Sequence, residues 1–161
     1  MESYIRRAQT GPCFICEIVA RSPNPQYRNH IIYEDDTAIV FLNKYPVLYG
    51  YTLVAPRAHR ERVTGDFTID EYLALQRRVY RVAEALRQEV STERMYILSL
   101  GSQQGNRHVH WHIAPLPPGV PYREQQLGAL NLEKGILKIS DDEMASLAAR
   151  IRERMERLNG V

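Results

Sequence analysis

Three of the chain's five histidines occupy alternate positions of one short segment, as His108, His110 and His112. Alternate side chains of a β-strand point to the same face, so a strand here would place three imidazoles in a row. The apolar Val109 and Trp111 would then point to the other face. Imidazole titrates near neutral pH, binds metal ions and can act as a nucleophile, an acid or a base. Because burying three such groups is costly, we expect the row to serve the function.

The two cysteines, Cys13 and Cys16, form a C-x-x-C sequence near the start of the chain. A structural disulfide is rare in a reducing cytoplasm, so the pair is either half of a zinc site or a redox pair. No strand pattern precedes it, as a redox motif usually requires, so the sequence favours zinc if two further ligands exist. Residues 1–12 are predicted to be a loose N-terminal arm, and residues 13–20 one or two helical turns.

Length and composition narrow the class of protein. A chain of 161 residues is long enough for one domain with its own core, and a net charge of +2 argues against a strongly electrostatic partner such as nucleic acid. No apolar run approaches the roughly 20 residues of a membrane helix. The first residues lack the apolar segment of a secretory signal. We therefore expect a cytoplasmic protein with neither a nucleic-acid nor a membrane partner.

Five short segments have the apolar pattern of β-strands. They are expected at residues 31–33, 38–42, 51–55, 95–100 and 108–114. The acidic residues 34–36 separate the first two, which should form a hairpin. Two long helical patterns begin with capping boxes, formed by Thr68 with Glu71 and by Ser140 with Glu143. The helices are expected over residues 68–90 and 140–159.

This order of elements, without a repeat, indicates the α+β class. We expect a single domain over residues 1–161. It would contain a mainly antiparallel five-stranded sheet, one long helix packed on a face of that sheet, and a C-terminal helix.

The segment from His108 to Pro115, with the sequence HVHWHIAP, resembles the signature of the histidine triad superfamily. That signature reads His-φ-His-φ-His-φ-φ, with φ an apolar residue, and its members are nucleotide hydrolases and transferases. Residues 33–43 resemble the family's hairpin, and residues 50–59, with their Pro-x-x-His ending, resemble its next strand. The resemblance covers residues 13–115 in the expected order. It implies a homodimeric enzyme that acts at the α-phosphate of a dinucleoside polyphosphate or a nucleoside phosphoramidate.

The resemblance also implies roles for particular residues. His110 would attack the α-phosphorus and form a covalent nucleotidyl-histidine, which water or a second acceptor then resolves. His112 would donate a hydrogen bond to the charge that builds up in the transition state. Asn43 matches the position that holds the ribose hydroxyls. The loop of residues 101–106 is where the family holds phosphates, and its potential side-chain donors are Ser102, Gln103, Gln104 and Asn106.

Zinc-containing members of the family bind the ion through the C-x-x-C, the histidine of Pro-x-x-His and the first histidine of the triad. The corresponding residues here are Cys13, Cys16, His59 and His108. Four protein ligands leave no open position for a substrate, so the implied zinc is structural. No organic cofactor is implied.

Two other functions stay open on the sequence. A nucleotide-binding or sensor protein could keep the fold with little turnover. A metal-dependent hydrolase could use all three histidines as ligands of a catalytic metal, since alternate histidines on a strand can do so. The chain departs from the family pattern at Tyr51, where many members have histidine, and at residues 115–118, where Pro-Leu-Pro-Pro replaces a common Pro-Arg.

Overall fold

The computed structural model describes residues 2–158, so Met1 and the predicted last helical residue, 159, lie outside the described part. The helices are α1 (Glu2–Thr10), α2 (Phe14–Val19), α3 (Ile69–Glu89) and α4 (Asp141–Leu158). The strands are β1 (Ile31–Glu34), β2 (Ala38–Leu42), β3 (Thr52–Pro56), β4 (Arg94–Ser99) and β5 (Trp111–Leu116). Short 3₁₀ turns fill much of the segment between β5 and α4. Over residues 2–158 no helix is both long and apolar enough to cross a membrane.

The strands form one sheet in the order β1-β2-β3-β5-β4, and every neighbouring pair is antiparallel. This confirms the predicted α+β class and its five-stranded sheet. Every residue of β2 and β3 is buried. The last strand in sequence, β5, inserts between β3 and β4. The strand that follows His108 and His110 therefore lies inside the sheet, with a neighbouring strand on each side.

Helices α3 and α4 pack together on one face of the sheet. The apolar stripe of α3 lies against side chains of β5, including Trp111 and Ile113, and against Leu147 and Ile151 of α4. The predicted capping box at the start of α3 is confirmed. Glu71 N donates to Thr68 Oγ1 over 3.2 Å, and Thr68 N donates to Glu71 Oε2 over 2.7 Å. The long helix is thus anchored on the face opposite the histidines.

The opposite face of the sheet is covered in part by the short helix α2. Its Ile15 and Ile18 pack on Ile39, Phe41 and Leu53 in a second, smaller core. Cys13 directly precedes this helix and Cys16 lies within it. The position of the helix on the sheet therefore determines the position of both cysteines. The predicted helical turns after residue 13 are confirmed.

The prediction of a loose N-terminal arm is wrong, because residues 2–10 form helix α1. Glu2 in its first turn and Arg7 in its last turn complement the helix dipole. The Thr10 hydroxyl donates to Arg6 O over 2.8 Å, and Gly11 N donates to Arg7 O over 2.9 Å at the end of the helix. These local polar contacts stabilise a short helix whose residues are mostly polar.

The second predicted capping box forms only half of its hydrogen bonds. Glu143 N donates to Ser140 Oγ over 3.2 Å, as expected of the cap. The Glu143 carboxylate, however, accepts hydrogen bonds from the Tyr49 hydroxyl and from Arg150. Packing of α4 against the β2–β3 loop thus takes the side chain away from the reciprocal bond.

Gly50 leads the chain into β3 through a conformation and a space that suit only glycine. Its φ is +80°, and a Cβ atom there would lie 3.0 Å from Val90 Cγ2 and 3.3 Å from Leu86 Cδ2. Both neighbours belong to the α3 core. Gly119 also has a positive φ, +86°, but a Cβ there would meet nothing within 4 Å.

We therefore expect Gly50→Ala to lower the free energy of unfolding more than Gly119→Ala does. Both variants incur about 1–2 kcal/mol from the left-handed backbone, and only Gly50→Ala adds about 1–3 kcal/mol of overpacking. Urea denaturation of the two variants and the wild type measures the difference. Equal losses in the two variants would contradict this account of the packing around Gly50.

Candidate functional site

The strand that carries the histidines begins later than predicted. Strand β5 starts at Trp111, so only His112 of the three histidines lies within it. Its neighbour β3 ends at Pro56, and the backbone N–H of Val109 donates to Arg60 O, in the loop that follows β3, over 2.7 Å. The prediction of a strand from residue 108 is therefore wrong at that end. The other neighbour, β4, ends at Ser99, which is paired with Trp111, and the last pair between β3 and β5 is also formed at Trp111, by Val54.

The predicted alternation of faces is nevertheless confirmed. Val109, Trp111 and Ile113 point into the core with α3. The rings of His110 and His112 lie together on the other side, with their centroids 4.7 Å apart. Two of the three imidazoles thus share one small site.

The third imidazole, that of His108, lies in a separate cluster. The predicted ligands Cys13, Cys16, His59 and His108 place one donor atom each within 4.8 Å of all the others. His108 Nδ1 lies 3.4 Å from Cys13 Sγ and 3.6 Å from Cys16 Sγ, and His59 Nδ1 lies 3.3 Å from Cys16 Sγ. Tetrahedral zinc with ordinary Zn–S and Zn–N bonds separates S and N ligands by about 3.5 Å. The cluster therefore fits a structural zinc ion.

The hydrogen bonds around the cluster also suit metal binding. His108 Nε2 lies 2.9 Å from Pro56 O, and His59 Nε2 lies 3.1 Å from Glu61 Oε1. A carbonyl oxygen only accepts, so His108 Nε2 carries the hydrogen and Nδ1 presents its lone pair to the cluster. Metal-binding histidines typically donate their second N–H in this way.

The buried surroundings of the cluster favour neutral side chains, so thiolate ligands would require a cation beside them. Burial and the neighbouring Cys13 raise the pKa of the Cys16 thiol to about 12. Burial lowers the pKa of His108 to about 4, with smaller contributions from His59 and His110 that lower it further. A coordinated metal ion is what stabilises thiolates in such surroundings.

His110 is held with one nitrogen bonded and the other directed away. It is almost fully buried, and its Nδ1 lies 2.7 Å from the carbonyl oxygen of His108. Nδ1 therefore carries the hydrogen, and Nε2 has the lone pair. Burial lowers the pKa of His110, which keeps the ring neutral at neutral pH. The edge of Phe14 contacts the ring at a centroid distance of 5.8 Å, and the Ser99 hydroxyl donates to His110 O over 2.8 Å.

His112 contacts a residue that the sequence marked only as a departure from the family pattern. Its Nδ1 lies 2.9 Å from Tyr51 Oη, and the two rings stack at 27°. Its Nε2 is buried and has no hydrogen-bond partner among residues 2–158. Burial, and then the neighbouring His110, lower the pKa of His112 to about 3.

The predicted phosphate loop forms a tight turn between β4 and the histidines. Ser102 and Gly105 exchange backbone hydrogen bonds of 3.2 and 3.0 Å. Ser102 Oγ accepts from Gln104 N over 3.1 Å, and Gln103 Nε2 donates to Glu61 O over 3.3 Å. Gln103 thus ties the loop to the chain segment that contains the proposed zinc ligand His59.

Two predicted substrate contacts lie in turns. Asn106 has a φ of 55°, and its carbonyl oxygen is close to Gly101, where a Cβ would lie 2.9 Å away. Asn43 Oδ1 accepts from Tyr45 N over 3.0 Å, so contact with a ribose would come through the Nδ2 group. Asn43 N donates to Tyr51 O over 2.8 Å, which places Asn43 beside the tyrosine that contacts His112.

Sequence reasoning missed three residues that contact the histidines, namely Phe14, Ser99 and Tyr51. Phe14 lies inside the C-x-x-C, so its position could have suggested a contact on the same face. Tyr51 stands where many family members have histidine. Nothing in the sequence around Ser99 indicates its bond to the backbone of His110.

Comparison with known proteins agrees with the fold and shows the family. A profile of the HIT domain matches residues 24–118, more than half of the chain. An uncharacterized HIT-like protein of Saccharolobus solfataricus is 32% identical over 108 residues, which cover 64% of this chain and 73% of that protein. The protein named Protein hit of Bacillus subtilis is 30% identical over 107 residues, covering 64% and 70%. The chain belongs to the histidine triad (HIT) family.

Solved structures show the same architecture. A hypothetical histidine triad nucleotide-binding protein of Sulfolobus tokodaii has a TM-score of 0.71 and 27% identity, and the match covers 91% of this chain and 94% of that one. A Zn-bound histidine triad family protein of Mycobacterium smegmatis has a TM-score of 0.66 and 23% identity, covering 92% and 96%. The α+β fold is therefore that of HIT proteins.

We expect the purified protein to contain one zinc ion per chain, and Cys16→Ser to lose it. Loss of the ion should lower the free energy of unfolding by a few kcal/mol. Each kcal/mol lowers the melting temperature of a chain of this size by about 2–4 °C, so we expect a decrease of about 10 °C. Elemental analysis and thermal melts of the wild type and Cys16→Ser measure both effects. His30→Ala, which changes a histidine outside the cluster, is the control. A zinc-free wild type with two titratable thiols would contradict the expectation.

Proposed function

We propose that the protein is a nucleotide hydrolase or nucleotidyl transferase that works through a covalent intermediate on His110. The observation that carries this proposal is the 2.7 Å hydrogen bond from His110 Nδ1 to the His108 carbonyl. It leaves Nε2 as the nitrogen with a lone pair, beside the ring of His112. Burial keeps the imidazole neutral, which is the nucleophilic form.

The chemistry follows from this geometry. The lone pair of His110 Nε2 forms a bond to the α-phosphorus, and the bond from phosphorus to the leaving group breaks with its electron pair going to that group. A carbonyl oxygen does not take the Nδ1 proton, so the adduct is a cationic nucleotidyl-imidazolium. Such a cation leaves phosphorus more easily than a neutral imidazole adduct would. Water, or another acceptor, then attacks the phosphorus, and the bond from phosphorus to Nε2 breaks with its electron pair returning to the nitrogen. The attacking group loses its proton to solvent, and His110 is neutral again.

Two more groups have proposed roles in substrate binding. Asn43 would bind the ribose, because its backbone is bonded to Tyr51 and so lies beside the histidine pair. The 101–106 loop would bind the phosphates, since it is a tight glycine-containing turn directly before the histidines. Its proposed donors are Ser102, Gln103, Gln104 and Asn106. The substrates that this arrangement suits are dinucleoside polyphosphates and nucleoside phosphoramidates.

The proposed zinc ion would support the site from outside. Its ligands would be Cys13, Cys16, His59 and His108, and the Zn-bound relative from Mycobacterium smegmatis supports this assignment. When bound, the ion would link α2 to the loop after β3 and to His108. His108 is the critical member, because its carbonyl also holds His110.

The two alternatives have less support. In a hydrolase with a three-histidine metal site, His108, His110 and His112 would converge on one point. The group of metal-type donors found within residues 2–158 instead contains only His108 of the three, together with His59 and the cysteines. A direct assay for nucleoside monophosphate release distinguishes a nucleotide sensor without turnover from an enzyme.

We expect the wild type to release nucleoside monophosphate from at least one of a panel of dinucleoside polyphosphates and adenosine phosphoramidate. His110→Ala should lower kcat/KM by at least about 10³-fold, because it removes the nucleophile. His112→Ala should lower kcat by about 10²–10³-fold, as loss of one transition-state donor does.

Chromatographic product analysis measures the release, and His30→Ala serves as the control variant with wild-type rates. Nucleotide binding without release in the wild type would favour the sensor alternative. Equal release by His110→Ala and wild type would contradict the proposed nucleophile.

The homodimer implied by the family has support in the two edges of the sheet. At the β1 edge, Arg152 of α4 donates to the carbonyls of Ile31 and Ile32 over 2.7 and 2.9 Å, so this edge is covered. At the β4 edge, Ile97 and Leu100 are about half exposed, at 47% and 50%. An apolar uncovered edge is a natural pairing surface. We propose that two chains associate through β4, with the outer face of α3 beside it.

We expect Ile97→Lys to convert the dimer to a monomer, because it places a charge in the proposed apolar contact. Light scattering after size-exclusion chromatography measures the mass of the wild type and the variant. Val63→Lys, at a similarly exposed apolar residue of the loop after β3, should remain dimeric. A monomeric wild type, or a dimeric Ile97→Lys, would argue against this interface.

A further inference from the structure

Tyr51 is fixed in place by its backbone and by its surroundings. It is only 7% exposed and packs with Leu48 and Ala114 in a small cluster on the histidine face of the sheet. Its N–H donates to Leu48 O over 3.2 Å, and its carbonyl accepts from Asn43 N over 2.8 Å. From this position its hydroxyl reaches His112 Nδ1 at 2.9 Å. The hydroxyl is thus presented to His112 from the residue directly before β3, whose backbone N–H and carbonyl are both hydrogen-bonded.

The bond between these two side chains allows two arrangements. Neutral imidazole has one N–H and one bare nitrogen. If the Tyr51 hydroxyl donates to His112 Nδ1, the hydrogen of His112 lies on Nε2. If His112 Nδ1–H donates to Tyr51 Oη instead, then Nε2 is bare. The direction of one hydrogen bond therefore decides what His112 presents on its other side.

In the proposed reaction, that other side faces the phosphate. His112 Nε2 is buried without a hydrogen-bond partner among the described residues, and the ring lies 4.7 Å from that of His110. A bare nitrogen there would direct a lone pair at the oxygens of an anionic phosphate. An N–H would instead stabilise charge developing on those oxygens.

We propose that Tyr51 is a positioning residue for this chemistry, whose hydroxyl donates to His112 Nδ1 and holds the hydrogen of His112 on Nε2. The catalytic consequence rests on the proposed function, whereas the tautomer does not. A phenol ordinarily titrates near pH 10, far from neutral pH. A tyrosine can therefore keep the same donor role over the whole physiological range, which a histidine at this position would not.

The tautomer is tested by NMR of full-length protein labelled with ¹⁵N in its histidines, with His112 assigned by comparison with His112→Gln. We expect His112 in the wild type to show a bare Nδ1 and a protonated Nε2 at neutral pH. Tyr51→Phe should shift His112 toward a mixture of tautomers. Tyr96→Phe is the matched control, because it removes a hydroxyl from the same cluster whose partner is Gln126 N. A bare Nε2 in the wild type, or an unchanged tautomer in Tyr51→Phe, would overturn the proposal.

Kinetics on the preferred member of the nucleotide panel tests the consequence. Tyr51→Phe should lower kcat by about 10-fold to 100-fold with KM within about twofold, because an orienting bond is lost but no substrate contact is. Tyr51→His should recover much of the rate, and Tyr96→Phe should keep all of it. An unchanged kcat in Tyr51→Phe would overturn the positioning role. Absence of His110-dependent release from the wild type would defeat the proposed function, while the NMR result would still decide the tautomer.

Discussion

The site depends on the position of one residue, His108, which is bonded in three directions. Its Nδ1 lies among the cysteines, its Nε2 donates to the last residue of β3, and its carbonyl accepts from His110 Nδ1. A displacement of His108 would therefore move the metal cluster and the proposed nucleophile together. This explains why a zinc ion remote from the substrate would still matter for the reaction. It would fix the backbone oxygen that determines which nitrogen of His110 has the lone pair.

The register of β5 is the second constraint on the site. Trp111 and Ile113 are buried against α3, and Trp111 also contacts Tyr72 of that helix with ring centroids 6.0 Å apart. A slip by one residue would move these large side chains out of the core and turn His112 into it. The apolar residues between the histidines thus determine which face the histidines occupy. The capped helix α3 provides the surface that holds this register.

The sequence predicted much of this arrangement, and its errors have physical causes. The period of apolar residues predicted the strands and α3, and the four residues that the resemblance implied as zinc ligands do lie close together. The start of β5 was wrong because β4 ends at Ser99, opposite Trp111, and pairing with β3 also stops at Trp111, which the sequence of β5 alone does not show. Helix α1 was missed because it is short and mostly polar, and Glu2, Arg7 and Thr10 stabilise it by local contacts. Tyr51 and His112 are far apart in sequence, so their contact becomes visible only once the sheet places them side by side.

Burial also explains how two imidazoles can lie 4.7 Å apart. Two charged rings at this distance would repel each other in a site with little water. Burial lowers the pKa of both His110 and His112, so the two neutral rings need no counter-charge. A nucleotide brings its own negative charge, which favours hydrogen-bond donors and cations at the same place. In the proposed reaction, the cationic adduct on His110 and the N–H of His112 would then both face the anionic phosphoryl group. The site would thus hold positive charge only while the substrate is present to balance it.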